Sequence, residues 1–104
     1  MGVEGSARSA GNDPGLLLLI SLAGGAKHGH AMLLDVARFA GVRLGPGTLY
    51  GALSRLEEDG HVEAIPAEGR RRPYRLSPAG RRHLESRLGG LDRAVRTGLE
   101  RVSA

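Results

Sequence analysis

The side chains best equipped for chemistry in this sequence are arginines. Between Glu68 and Glu85 there is no acid, whereas Arg70, Arg71, Arg72, Arg75, Arg81 and Arg82 gather there. A guanidinium presents a planar fork of donors that fits phosphate oxygens and the guanine edge, which a lysine ammonium does not. The chemistry open to such a cluster is capture of an anion, phosphate first. Arginine outnumbers lysine fourteen to one along the chain. Nucleotide composition alone can produce that bias, so only the clustering carries weight. His28 and His30, next to Lys27, raise metal binding, because imidazole is a common ligand. They lack cysteine partners and an acid at a spacing that would supply a third ligand, so the pair reads as a turn, and no metal or cofactor is expected. Ser54, Ser77 and the four histidines fall on a surface face, a cap and turns. No catalytic constellation results and no Gly-rich phosphate loop follows a strand, so the chain is not read as an enzyme.

An arginine cluster needs a rigid element beside it to become a specific surface. Residues 44–60, Leu-Gly-Pro-Gly-Thr-Leu-Tyr-Gly-Ala-Leu-Ser-Arg-Leu-Glu-Glu-Asp-Gly, read as one short helix held at a fixed angle. Pro46 stiffens the turn before it, Thr48 is expected to cap it, and Gly60 stands where a left-handed residue ends it. Leu49, Ala52, Leu53 and Leu56 share one side and should face a core. Gly47, Gly51 and Ser54 lie opposite, flanked by Thr48, Arg55 and Tyr50. No acid occurs between Asp35 and Glu57, while Glu57, Glu58 and Asp59 crowd the last turn. The N-terminal half is therefore the end that tolerates an anion.

Pro46-Gly47-Thr48-Leu49-Tyr50-x-x-Leu53-x-x-Leu56-Glu57-x-x-Gly60, preceded by His28-Gly29 and followed by Tyr74-x-Leu76-Ser77-x-x-Gly80, resembles the PadR-type transcriptional regulators. The likeness covers residues 16–88 and is specific, because three separated motifs occur in order. It implies a winged helix-turn-helix in which this helix is the recognition helix, and a dimeric, DNA-binding regulator. In that family Pro usually follows the Tyr of the motif, and Gly51 stands here instead, loosening the first helical turn. The family's usual Tyr after His-Gly is replaced by His30, which the resemblance places, with His28 and Lys27, near the DNA backbone. Relatives as the resemblance implies sense planar or apolar small-molecule effectors between dimer halves. The absence of Trp and the short last helix argue against a stacking pocket here.

The remaining segments read as support. Residues 1–12, rich in Gly, Ser and Ala without apolar periodicity, are expected to be a disordered tail. Asp13-Pro14 opens a helix through Ala23, closed by Gly24-Gly25. Its run from Leu16 to Ile20 is apolar all round, so several sides should be buried, with Leu16 and Leu19 expected to reach a dimer mate. A signal peptide is the competing reading of this run, weakened by Glu4 and Asp13 before it and by the loss a small core would suffer on cleavage. The run is far shorter than the ~20 residues of a membrane span. A second helix, His30 to Ala40, carries a buried stripe of Met32, Leu33, Val36, Ala37 and Ala40 and ends at Gly41. His61 to Pro66 and Arg72 to Leu76 read as a hairpin with an arginine-loaded tip at Arg70 and Arg71, either a wing or a solvated basic loop. Ser77-Pro78 starts the last helix, reaching Val102, with Leu84, Leu88, Leu91, Val95 and Val102 in a heptad-like seam beside Leu99. A bend is expected at Gly89-Gly90.

With 104 residues and three aromatics the core must be modest, and a net charge of +4 modestly favours an anionic partner. The fold class is mainly α with a small β-hairpin: residues 13–77 form the winged helix-turn-helix and 78–104 a C-terminal dimerisation helix. Two functions from different classes follow. One is a homodimeric, sequence-specific regulator of transcription, a repressor, binding an inverted repeat in double-stranded DNA. The other is a winged-helix module that docks protein without reading DNA. The absence of cysteine suits a cytoplasmic address.

Overall fold

The computed structural model describes residues 13–66 and 72–104. Helices α1 (Pro14–Ala23), α2 (Gly29–Ala40) and α3 (Pro46–Glu58) precede strands β1 (Val62–Ala64) and β2 (Tyr74–Leu76), and α4 spans Pro78–Ser103. This is the expected winged helix-turn-helix with an appended helix. Helix α1 lies at its centre, packed against α2, α3, β2 and α4. Asp13 caps it, its carboxylate accepting the Leu16 N–H at 3.2 Å, and Pro14 occupies the first helical position, where no amide donor is missed. Because neighbours surround α1, its leucines are buried on every side. Leu16 and Leu19, expected to reach a mate, are 3% and 1% exposed within one chain, so that assignment is corrected: both belong to the chain's own core.

Helix α2 starts one residue earlier than expected, and Gly41, at φ 67°, ends it as a left-handed cap. Val42 and Leu44 then turn inward while Arg43 stays exposed, an extended link into α3. Thr48 does not cap α3. The cap position is Gly45 and the helix begins at Pro46, whose fixed φ and missing N–H suit the first helical position, so Thr48 stands within the first turn. At the other end, Gly60 has φ 78°, its N–H bonds the Glu57 carbonyl at 3.0 Å, and the His61 N–H bonds the Leu56 carbonyl at 2.9 Å. That double closure turns the chain directly into β1.

The strands pair antiparallel with Val62 opposite Leu76, Glu63 opposite Arg75 and Ala64 opposite Tyr74. One more ladder bond joins the Ile65 N–H to the Pro73 carbonyl at 2.8 Å. Arg75 points outward, as expected, and its Nε meets Glu63 Oε1 at 3.0 Å across the hairpin. A further pairing was not legible: the Lys27 N–H donates to the Tyr74 carbonyl at 3.1 Å and the Tyr74 N–H to the Lys27 carbonyl at 3.0 Å. A single bridged residue between two turns has no alternating pattern to announce it.

Ser77 is the joint between α3, β1 and α4. Its Oγ accepts the Gly80 N–H at 2.9 Å and donates to the Gly60 carbonyl at 2.5 Å, and its own N–H donates to the His61 carbonyl at 3.0 Å. Helix α4 therefore leaves the head from a fixed point. It continues without interruption through Gly89-Gly90, where a bend was expected. Its 26 residues span about 39 Å. Only the start of α4 is buried. Leu84 enters the core, whereas exposure climbs from 39% at Leu88 to 84% at Val102.

Candidate nucleic-acid interface

Leu49, Leu53 and Leu56 anchor α3 in the core. Gly47, Thr48, Tyr50, Gly51, Ser54 and Arg55 are all exposed on its other side, as their spacing requires. A Cβ at Gly45, Gly47 or Gly51 would meet no atom of this chain within 4 Å. The smallness of this face therefore serves no internal packing. Among helix residues glycine is unfavourable by roughly 1 kcal/mol relative to alanine, so two of them in the first turns lower stability without a contact in return. The acid-free half of α3 carries its positive dipole end, while Glu57, Glu58 and Asp59 are exposed at the far end. Ser54 lines a shallow depression with Glu57 and Glu58 and so marks the limit of the half that favours an anion.

The start of α2 meets this face at its Tyr50 edge. A Cβ at Gly29 would lie 2.8 Å from Tyr50 Oη and 3.2 Å from Leu49 Cδ2, so only glycine lets the phenol rest there. His28 and His30 flank that contact and are exposed. Lys27 does not join them. Its ammonium turns inward, donating to the Ser21 carbonyl and lying 3.8 Å from Asp35 Oδ2, and the side chain is 22% exposed. The sequence assignment of Lys27 to DNA is therefore corrected: two internal acceptors claim its charge. Arg72 is exposed, whereas Arg70 and Arg71 lie outside the described residues. On the opposite edge, a groove of about 400 Å³ separates Asp13, Pro14 and Gly15 from Gly47, Gly51 and Arg55.

Two carboxylates are held by partners within the chain. Burial pushes the Asp13 carboxyl up, but the hydrogen bond from Arg87, the Leu16 amide and the Arg87 charge outweigh it and hold the group below its ordinary 3.8. The Ser21 hydroxyl, at 2.7 Å, and Arg38 hold Asp35 below 3.8 as well, against a smaller opposing effect of burial. A carboxylate whose folded pKa is depressed contributes stability above its unfolded value that is lost as pH falls through the folded one. The urea midpoint should therefore drop as pH falls below about 3.8. Asp35→Asn should flatten that drop, and an unchanged acid profile in this variant would remove Asp35 from the account.

Among the described residues no three His, Asp or Glu side chains gather as a metal site, and no helix is long and apolar enough to cross a membrane. The shape has close parallels. A transcription factor from Bacteroides fragilis superposes with a TM-score of 0.74 at 19% identity, over 96% of this chain and 98% of that one. A regulator from Clostridium difficile gives 0.73 at 22%, over 88% and 98%. At sequence level, residues 16–86 match the model of the Transcriptional regulator PadR-like family. The transcriptional regulator Rv3488 of Mycobacterium tuberculosis is 42% identical over 72 residues, which are 66% of each protein. An uncharacterized 37.1 kDa protein in a transposon of Streptomyces fradiae is 49% identical over 74 residues, 71% of this chain but 21% of that protein.

Proposed function

Because the chain belongs to the PadR-like family of transcriptional regulators, we propose that it binds duplex DNA through α3 and acts as a homodimeric repressor of transcription in the cytoplasm. The observation that supports this most directly is the open, glycine-lined, acid-free half of α3. Glycines there let the helix backbone approach another surface closely. The exposed donors beside them, Thr48, Tyr50, Ser54 and Arg55, are of the kinds that bond phosphate and base edges. In this reading α3 enters a major groove with its N-terminal half foremost, and His28 and His30 stand beside the backbone at the Tyr50 edge. Arg70, Arg71 and Arg72 hold the flanking phosphates. The uncovered stripe on α4 from Leu88 to Val102 joins two copies, which then read an inverted repeat with half-sites about 34 Å apart.

The test begins with fragments of genomic DNA selected by the purified protein, and one enriched inverted repeat defines the operator. Gly51→Ala should then have effects of opposite sign. Stability should rise by up to about 1 kcal/mol, since the new methyl meets nothing in the chain and alanine favours the helix. Operator affinity should fall, and Gly51→Leu should abolish specific binding in a folded protein. Unchanged operator affinity in both variants would show that this face does not meet DNA. A salt titration with random duplex separates the other reading, because phosphate contacts weaken steeply with salt and apolar docking of a protein partner does not.

A further inference from the structure

We propose that the ion pair between Asp13 and Arg87 sets the angle at which α4 leaves the head, and thereby the half-site spacing that the dimer accepts. The inference rests on the dimeric DNA-binding reading above and assigns these two residues a positioning role within it. Arg87 Nη2 lies 2.9 Å from Asp13 Oδ2 and ties residues 74 apart in sequence. Its place along α4 is what matters. Leu84 is the last buried residue of the helix. Leu88 is already exposed, and Gly89 and Gly90 follow without side chains to brace it. Beyond Arg87 the polar contacts of α4, among the described residues, stay within the helix: Arg96 with Asp92 and Ser103 with the Leu99 carbonyl. Arg87 is therefore, among the described residues, the last polar tether to the head before the stripe that would meet a second copy.

The other end of the tether is equally fixed. Asp13 Oδ1 accepts the Leu16 N–H, so the carboxylate is part of the start of α1, on which the other helices pack. Asp13 also forms one wall of the groove opposite Gly47 and Gly51. One carboxylate thus refers the direction of α4 to the same helix start that borders the proposed reading face.

Small angles matter here because α4 is a lever. Val95, at the middle of the exposed stripe, lies eight residues beyond Arg87, about 12 Å along a helix. A swing of roughly 10° at Arg87 moves that point by about 2 Å, and two protomers together change the separation of the heads by about 4 Å. One base-pair step is about 3.4 Å. Loss of the pair therefore translates into tolerance of a base pair more or less between half-sites. The side chains of Arg87 and Asp13 remain 38% and 34% exposed, and pairs in that setting contribute little to overall stability, so removing either charge leaves the fold in place.

The experiment measures affinity for duplexes carrying the selected half-site as an inverted repeat, with the spacer changed one base pair at a time. Wild-type protein should prefer one spacing over its neighbours by about tenfold, as a rigid dimer must deform itself or the DNA to fit others. Arg87→Gln removes the charge at similar length, and Asp13→Asn removes it while keeping a capable cap. Each should remain a dimer and flatten the preference to about threefold or less; the change of one unit charge shifts affinity for every duplex alike and cancels in the ratio between spacings, and Arg87→Lys should restore part of the preference. The double variant should be no flatter than either single one, since both remove the same contact. A wild-type preference that both single variants preserve overturns this proposal alone. A wild-type protein with no spacing preference, or with the mass of one chain, overturns the dimeric reading and the proposal with it.

Discussion

Gly80→Ala should unfold the protein or lower its melting temperature by more than ten degrees. A Cβ at this position would lie 1.9 Å from the His61 carbonyl oxygen and 2.8 Å from the carbonyl carbon. Both are backbone atoms, so no side-chain rotation relieves the overlap. The His61 carbonyl is also engaged, accepting the Ser77 N–H at 3.0 Å, and moving it strains the cap that starts α4. Forcing a methyl into packed backbone costs typically 1–3 kcal/mol and more where nothing can yield. In a domain near 100 residues each kcal/mol is worth about 4–8 °C. Gly98→Ala supplies the control, because nothing lies within 4 Å of its added carbon and alanine suits a helix better. Gly98→Ala should be neutral or stabilising. Ser77→Ala should fall between, at about 0.5–2 kcal/mol for a lost cap, with the Gly60 carbonyl left unpartnered as an added cost. Thermal melts of the three variants decide it, and a Gly80→Ala melt equal to wild type would mean that α4 does not start against His61.

The same joint shows why parts of the fold were legible in sequence. Caps and stops act through local chemistry: Asp13-Pro14, Ser77-Pro78, Gly41 and Gly60 each do in the structure what their types imply. The buried stripe of α3 and the outward Arg75 followed from period alone. Most of what failed depended on neighbours that no local pattern marks. Leu16 and Leu19 were assigned to a mate because an all-round apolar helix demands cover on several sides, and sequence does not say that α2, α3, β2 and α4 of the same chain supply it. The resemblance implies a place near DNA for Lys27, yet Ser21 and Asp35 draw it inward. Neither partner is marked by spacing. Thr48 failed for a subtler reason: two start signals stood close together, and Pro46 began the helix before Thr48 could cap it. The role of Gly29 likewise needed the structure, since its crowding comes from Tyr50 on another helix.

Replacing Leu88 and Leu91 together by lysine should abolish dimer formation and, with it, most of the operator affinity. In the isolated chain these side chains are 39% and 37% exposed, and Val95, Leu99 and Val102 beyond them are more so. Their 3.5-residue repeat forms one continuous apolar strip along a helix that has already left the head. Lysines in the strip bring like charges of two copies together and remove the apolar area that association would cover, without opening the core around Leu84 and Val36. The fold should therefore survive, with near-native helix content. Two linked heads gain affinity through the high effective concentration of the second after the first has bound, commonly by 10²–10⁴, and a monomer forfeits that gain. Random duplex should be affected far less, because each head keeps its own phosphate contacts. Sedimentation of wild type across the micromolar range, beside the double variant, checks the first half of this expectation. Wild-type melting that does not change with concentration, at a mass of one chain, would show that the strip covers nothing in solution and that the two-headed mode of binding is wrong.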